Sequence, residues 1–184
     1  TASGTFQITP VDLLLGGFAV TTDPASVTYN GRAQEPTVVV SRGTEVLTAD
    51  RYQATFSNNV NVGTATVSVT GVGAYQGALT GTFQITPADI SGAAVTVADA
   101  TFTGAQLTPD PRVVLDSVQL AAGIDYTVTY GANTAVGATG GSVTVTGTGN
   151  YTGSKTVNFA ILPVDLSQAD ITVADTAYTG SAAR

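Results

Sequence analysis

The 184-residue chain contains no cysteine and no histidine, and only six of its residues are Lys or Arg. Without cysteine the fold needs neither disulfides nor thiolate-bound metal, and it is indifferent to the redox state of its compartment. With histidine missing too, the usual proton shuttle and the strongest side-chain nucleophile are both absent, which removes triads and dyads of those kinds. No enzyme is expected. The basic residues, Arg32, Arg42, Arg51, Arg112, Lys155 and Arg184, are scattered among 13 acidic ones, for a net charge of −7. A surface of that sign without a basic patch repels nucleic-acid phosphates and anionic lipid headgroups. Long apolar runs are also lacking. The compact cluster Val11 to Leu15 is interrupted by Asp12 and stopped by Gly16-Gly17, far short of the roughly 20 residues that cross a bilayer. No signal peptide is visible.

What is present is 43% hydrophobic and 10% charged, rich in Thr, Val, Ala and Gly, which describes a folded β protein rather than a disordered tail. The chain repeats itself. Ile8-Thr9-Pro10-Val11-Asp12-Leu13 returns as Ile85-Thr86-Pro87-Ala88-Asp89-Ile90 and again as Ile161-Leu162-Pro163-Val164-Asp165-Leu166, a period of about 76 to 77 residues. Between these markers Val27-Thr28-Tyr29-Asn30-Gly31 answers Ala100-Thr101-Phe102-Thr103-Gly104 and Thr176-Ala177-Tyr178-Thr179-Gly180. Arg51 to Phe56 answers Asp125 to Tyr130, and Gly71 to Gly77 answers Gly147 to Gly153.

Within a unit the apolar period is two, the mark of strands with one buried face. The expected inward sets are Val143 and Val145; Tyr126, Val128 and Tyr130; and Val157, Phe159 and Ile161. Their counterparts are Val67 and Val69; Tyr52, Ala54 and Phe56; and Gly81, Phe83 and Ile85. No segment carries a helical apolar stripe; a single turn of helix is expected at most near Leu120 to Gly123 or Asp165 to Ala169. Each unit thus offers about six short strands joined by Gly, Asn and Pro turns. The predicted fold is all-β, as tandem small antiparallel sandwiches of the immunoglobulin-like kind, with a β-grasp-like sheet carrying a vestigial helix as the alternative.

Unit two, with Phe102-Thr103-Gly104, Pro109, Asp125 to Tyr130, Ser142 to Gly153 and Phe159 to Ile161, resembles the immunoglobulin-like or β-grasp-like tandem repeats of bacterial surface proteins and adhesins. The resemblance covers essentially the whole chain. Unit one departs from it at Arg51, which replaces the Asp before Tyr52, and at Ala74-Tyr75-Gln76, which replaces Asn150-Tyr151-Thr152. The resemblance implies an extracellular, wall-attached stalk that spaces and presents a distal domain, with neighbouring repeats as its partners and any host ligand met through other domains. The competing expectation is an adhesin module that itself recognises a host glycan or protein through a loop or edge strand.

Candidate chemistry is thin. Ser154-Lys155 are neighbours on a strand and point to opposite faces, so they build no dyad. An internal isopeptide bond would need Lys155, but Leu79 stands there in unit one. The Gly-x-Gly-x-Tyr-x-Gly segments lie between strands rather than before a helix, so a tight β-connection anchored by Tyr75 or Tyr151 is expected instead of a phosphate cradle. Asp12, Asp89 and Asp165 recur at the unit boundary with Asp99 and Asp175 nearby. They lack the Asp-x-Asp spacing of a Ca²⁺ site and suit turn or cap duty. Tyr29, Phe102 and Tyr178 are the candidates for stacking on sugar rings, against the plainer reading of a corner aromatic. Asn150-Tyr151-Thr152 is a formal glycosylation sequon. Of the unit-two differences Arg112, Asp116 and Val118, none builds an obvious site. No catalytic, cofactor-binding or metal-ligating residue is assigned, and no cofactor is expected.

The predicted organisation is residues 1–8 as the closing strand of a preceding unit, 9–85 and 86–161 as two modules, and 162–184 as the opening of a third. Because a lone strand needs partners for its backbone groups, strands shared across the unit boundary are expected, interlocking consecutive modules; pairing with a neighbouring copy is the alternative.

Overall fold

The computed structural model describes residues 5–174. Unit one contributes β1 (Val11–Asp12), β2 (Ala19–Asp23), β3 (Ser26–Thr28), β4 (Thr37–Arg42), β5 (Glu45–Val46), β6 (Tyr52–Ser57), β7 (Gly63–Gly71), β8 (Tyr75–Gln76) and β9 (Ala78–Thr86). Unit two repeats the series as β10 (Ala88–Asp89), β11 (Ala94–Thr96), β12 (Ala100–Thr101), β13 (Arg112–Leu115), β14 (Val118–Gln119), β15 (Tyr126–Tyr130), β16 (Gly137–Gly147), β17 (Tyr151–Thr152) and β18 (Ser154–Leu162). The protein is all-β; its helical content among the described residues is three 3₁₀ turns, Ala49–Arg51, Ile90–Gly92 and Leu166–Gln168. The last falls where a helical turn was expected. At Leu120 to Gly123 the chain instead forms a turn closed by Asp125, whose Oδ2 accepts from Ala121 N–H at 2.8 Å.

Pairing repeats strand for strand. In unit one β1 lies parallel to β8, β2-β4-β5 form an antiparallel sheet, and β3-β9-β7-β6 form a second sheet in which β3 runs parallel to β9. Unit two gives β10-β17, β11-β13-β14 and β12-β18-β16-β15. The opening strand is therefore split: β2 belongs to one sheet and, after Pro24-Ala25, β3 belongs to the other. A chain that changes sheets at a bend is what lets two sheets cover each other. Val40 and its half-buried neighbour Val20 face Val67, Val69 and Leu79, with Leu13 and Phe18 closing the end where the chain enters. Ile90, Val113, Leu120, Tyr126 and Val145 repeat this arrangement in unit two. Toward the exit end the core continues as Ala65, Phe83 and Ile85, and as Val143, Phe159 and Ile161. Burying each of the larger aliphatic or aromatic side chains contributes about 1.5–3 kcal/mol, so the period-two sets drive the sandwich-like packing.

The inward sets fall as the alternation requires, with one difference. Ala54 pairs with buried Val69 but is exposed, because β6 is an edge strand and a methyl group is too short to seal it. The outward residues of β6, β7 and β9 are Gln53, Thr55, Ser57, Thr64, Thr66, Ser68, Thr70, Thr80, Thr82 and Gln84, without a charge among them. Cross-strand hydroxyl pairs of this kind knit the solvent face, as where Thr144 and Thr156 Oγ1 meet at 2.7 Å. Tyrosines latch the crossover segment to the edge strand: Tyr126 Oη donates to Pro111 O at 3.1 Å, Tyr130 to Pro109 O at 3.3 Å and Tyr52 to Val38 O at 2.8 Å. Buried Asn133 reinforces the latch, donating to Leu107 O and accepting from Ser142 N–H.

The expectation of strands shared across the boundary is corrected. Among the described residues no ladder passes from one unit to the other. Thr5 to Ile8 belong to no strand, and Phe6 and Ile8 are 87% and 83% exposed. The C-terminal end of each closing strand is already paired within its own unit: Val27 pairs with Ile85, and Ala100 with Ile161. Downstream, Ile171 and Val173 are exposed and outside any strand. The rest of the expected third opening, including Tyr178, lies outside the described residues.

Candidate functional site: the joint between the units

The boundary motif splits between the two units. Ile85-Thr86 finish β9, Ala88-Asp89 form β10, and Pro87 alone stands between them. The boundary segment is thus mostly strand. β10 pairs in parallel with β17, as Ala88↔Tyr151 and Asp89↔Thr152, and β1 pairs with β8 in the same way. This is possible because the glycine-rich connection folds tightly onto itself. Gly71 N–H donates to Gly77 O at 3.0 Å and Gly147 N–H to Gly153 O at 2.9 Å. A Cβ on Gly71 or Gly147 would lie 2.7 Å from the backbone nitrogen of Gln76 or Thr152, so only glycine allows the closure. These segments are β-connections, with Tyr75 and Tyr151 half-buried against the core clusters.

The boundary aspartates cap turns. Asp89 Oδ1 accepts from Ser91 N–H at 2.9 Å and Asp165 Oδ1 from Ser167 N–H at 2.8 Å, and each Oδ2 accepts from the serine hydroxyl. These bonds to the charged form hold both carboxyls below the usual value. Asp12 receives Leu14 and Leu15 N–H, and Asp99 receives Ala160 N–H. Among the described residues no three acidic side chains gather. Lys155 Nζ donates to Ala93 O at 2.6 Å. Phe102 packs against the exit-end core of unit two.

Tyr29 behaves differently. Its ring meets that of Tyr151 edge to face across the boundary, centroids 5.4 Å apart. Burial pushes the Tyr151 phenol above its ordinary value near 10, with Tyr29 adding to the effect. The sequon residue Asn150 is engaged beside it: its Oδ1 accepts from Val62 N–H at 2.9 Å and its Nδ2 donates to Asn61 Oδ1 at 3.1 Å, both in unit one. An open cleft of about 310 Å³ runs between the units, with Tyr29, Asn30 and Arg32 on one side and Leu115, Asp116 and Val118 on the other. Two of the three unit-two differences noted in the sequence therefore meet at the joint; the third, Arg112, donates to Gln119 Oε1 within its own sheet. Asn150 stood out in the sequence as the sequon residue and as a departure from Ala74, but Asn61, Val62 and Leu115 did not; Asn61 and Leu115 show themselves once each is set against its copy, Ala135 and Arg42.

The geometry defines an all-β protein in which one pattern of strand pairing occurs twice, with Pro87 alone between the last strand of the first copy and the first strand of the second. Comparisons with protein-family models, with curated proteins and with solved structures returned no match for this chain.

Proposed function

We propose that this chain is a stalk segment of a bacterial surface protein, built of immunoglobulin-like modules at residues 9–85 and 86–161, which spaces and presents a domain carried elsewhere. The observation that supports this most is the direction of the chain through each unit. It enters at β1, beside the start of β9, and leaves at the far end of β9, with one residue before the next unit begins. Nine residues of strand carry the path about 30 Å at roughly 3.3 Å per residue, so each unit adds length rather than folding back. The uncharged hydroxyl face and the acidic net charge suit a rod that stays apart from its neighbours in water. No helix among the described residues is long and apolar enough to cross a membrane; extracellular placement comes from the sequence resemblance. The reading of a glycan-binding module draws less support, because Tyr29 packs on Tyr151 and Phe102 on its own core.

Small-angle scattering tests the proposal. Two half-chain bodies of about 12 Å radius of gyration with centres about 30 Å apart give about 19 Å overall, against about 16 Å for one compact body of this length. A value near 16 Å overturns the stalk reading.

A further inference from the structure

The two units fold alike, yet their ends are not alike, and the differences collect where the units meet. The hairpin bonds Leu47 N–H to Val40 O and Leu120 N–H to Val113 O fix the alignment of the two tips. Arg42-Gly43-Thr44-Glu45 in unit one thus corresponds to Leu115-Asp116-Ser117-Val118 in unit two, with Arg42↔Glu45 and Leu115↔Val118 as the flanking pairs. The unit-one tip is self-sufficient. Arg42 binds Glu45 at 2.7 Å, donates to Gly16 O at 3.1 Å and lies 4.6 Å over the Phe18 ring. The unit-two tip has no such internal pair; it presents Leu115, Val118 and an acid toward Tyr29 and Arg32.

The same holds for the polar bridge. Asn150, which reaches Asn61 and Val62, is Ala74 in unit one, and Asn61 is Ala135 in unit two. Arg32, placed across the cleft from Asp116, is Ala105 in unit two. Both sides of the contact therefore differ from their copies, and at this joint the two sides match.

We propose that the exit end of unit one and the entry end of unit two are a dedicated pair: the units are not interchangeable, and this pairing holds them at one fixed orientation. A unit-one tip in the same place would set the Arg42 and Glu45 charges against Tyr29 and Arg32, and Ala74 would leave Val62 N–H and Asn61 without their cross-joint partner. The joint rests on the stalk reading for its use but not for its geometry, since an elongated chain can bend at its middle or hold straight.

The test uses the whole chain and reads orientation, not length. Residual dipolar couplings are measured on the native chain, on Asn150→Ala, and on a variant whose entry end is rewritten as that of unit one: Leu115→Arg, Asp116→Gly, Ser117→Thr, Val118→Glu and Asn150→Ala. In the native chain both units fit one alignment tensor. In the rewritten chain each unit keeps its dispersed amide spectrum, but the common tensor is lost and the two units give tensors of different magnitude. Asn150→Ala, which removes two side-chain bonds and leaves both folds intact, moves in the same direction and decides the question should the larger variant not fold. Separate tensors in the native chain, or a common tensor of unchanged orientation in the variants, overturns the proposal. Scattering that shows a compact chain would sink the stalk reading instead.

Discussion

Gly141 offers a test in which the sign of the effect carries the answer. In an ordinary strand, Gly→Ala lowers the entropy of the unfolded chain and adds something to pack, stabilising by about 0.5–1 kcal/mol. Gly141 is buried, has no left-handed backbone to protect, and faces Phe159 across β16 and β18. A Cβ there would come within 2.7 Å of three atoms of the Phe159 ring. The ring cannot swing aside, because Val143, Ile161, Phe102 and Leu107 pack around it and it is only 3% exposed. Overpacking of this kind costs about 1–3 kcal/mol. At about 4–8 °C per kcal/mol for a body of one unit's size, Gly141→Ala should lower the unit-two melting transition by roughly 5–20 °C in calorimetry. Unit one supplies the counterpart. Ala65 occupies the same place opposite Phe83, and Ala65→Gly should also destabilise, by about 1–2 kcal/mol through the lost methyl and the freer backbone. Were Gly141→Ala to leave the midpoint unchanged or raise it, the packing of Phe159 on the glycine would be wrong.

Gly153→Ala and Gly104→Ala share the penalty of a left-handed backbone (φ +79 and +80), but only the first drives its Cβ into the Asp89 carboxylate, whereas nothing lies within 4 Å of the second. Thermal melts should therefore rank Gly153→Ala as the more damaging. Tyr126→Phe should lower stability by about 0.5–1.5 kcal/mol in denaturant titration, since it removes the bond to Pro111 O. The pH profile should be flat from about 5 to 8, because there is no histidine to titrate there. Asp89 and Asp165 have folded values below their unfolded 3.8, so what they contribute is complete above that value and is lost as pH falls through the folded one. Tyr126, Tyr130 and Tyr151 have folded values above 10.0, chiefly through burial, so stability is full below pH 10 and falls as pH rises beyond it. Ultraviolet titration should find these phenols ionising late, and an unfolding step between pH 6 and 8 would contradict both assignments.

Much of this architecture is legible in the sequence because a one-sided strand must alternate. Val67, Val69, Val143 and Val145 are where period two puts them, and so are Phe83, Ile85, Phe159 and Ile161. Turn duty for Asp12, Asp89 and Asp165 was legible too, since a short carboxylate beside free N–H groups has few better uses. The short elements were not. A two-residue strand such as β1 or β10 is too brief to show a period, so nothing in the boundary motif foretold that Val11-Asp12 and Ala88-Asp89 pair with the glycine-rich connections. The switch of the opening strand between sheets left no trace either. β3 and β12 lie along the C-terminal ends of β9 and β18, the places a strand lent across the boundary would have taken. The joint was missed for the opposite reason: Asn150, Asp116 and Val118 stood out as differences between the units, but nothing in one dimension shows that they meet Asn61, Val62 and Tyr29.

The parallel placement of β3 beside β9 also decides how a unit meets tension. Load applied at the two ends of the chain reaches β3 from its N-terminal side and β9 from its C-terminal side, so the neighbouring strands are drawn in opposite directions along their common axis. The bonds between them, from Gln84 N–H to Ala25 O through Tyr29 N–H to Thr86 O, are then sheared together instead of being unzipped one at a time. Unit two carries the same clamp in shorter form, with the Ala100↔Ile161 and Thr101↔Leu162 pairs and Phe102 N–H to Leu162 O. Under a steady pull unit two, whose clamp is the shorter, should therefore give before unit one.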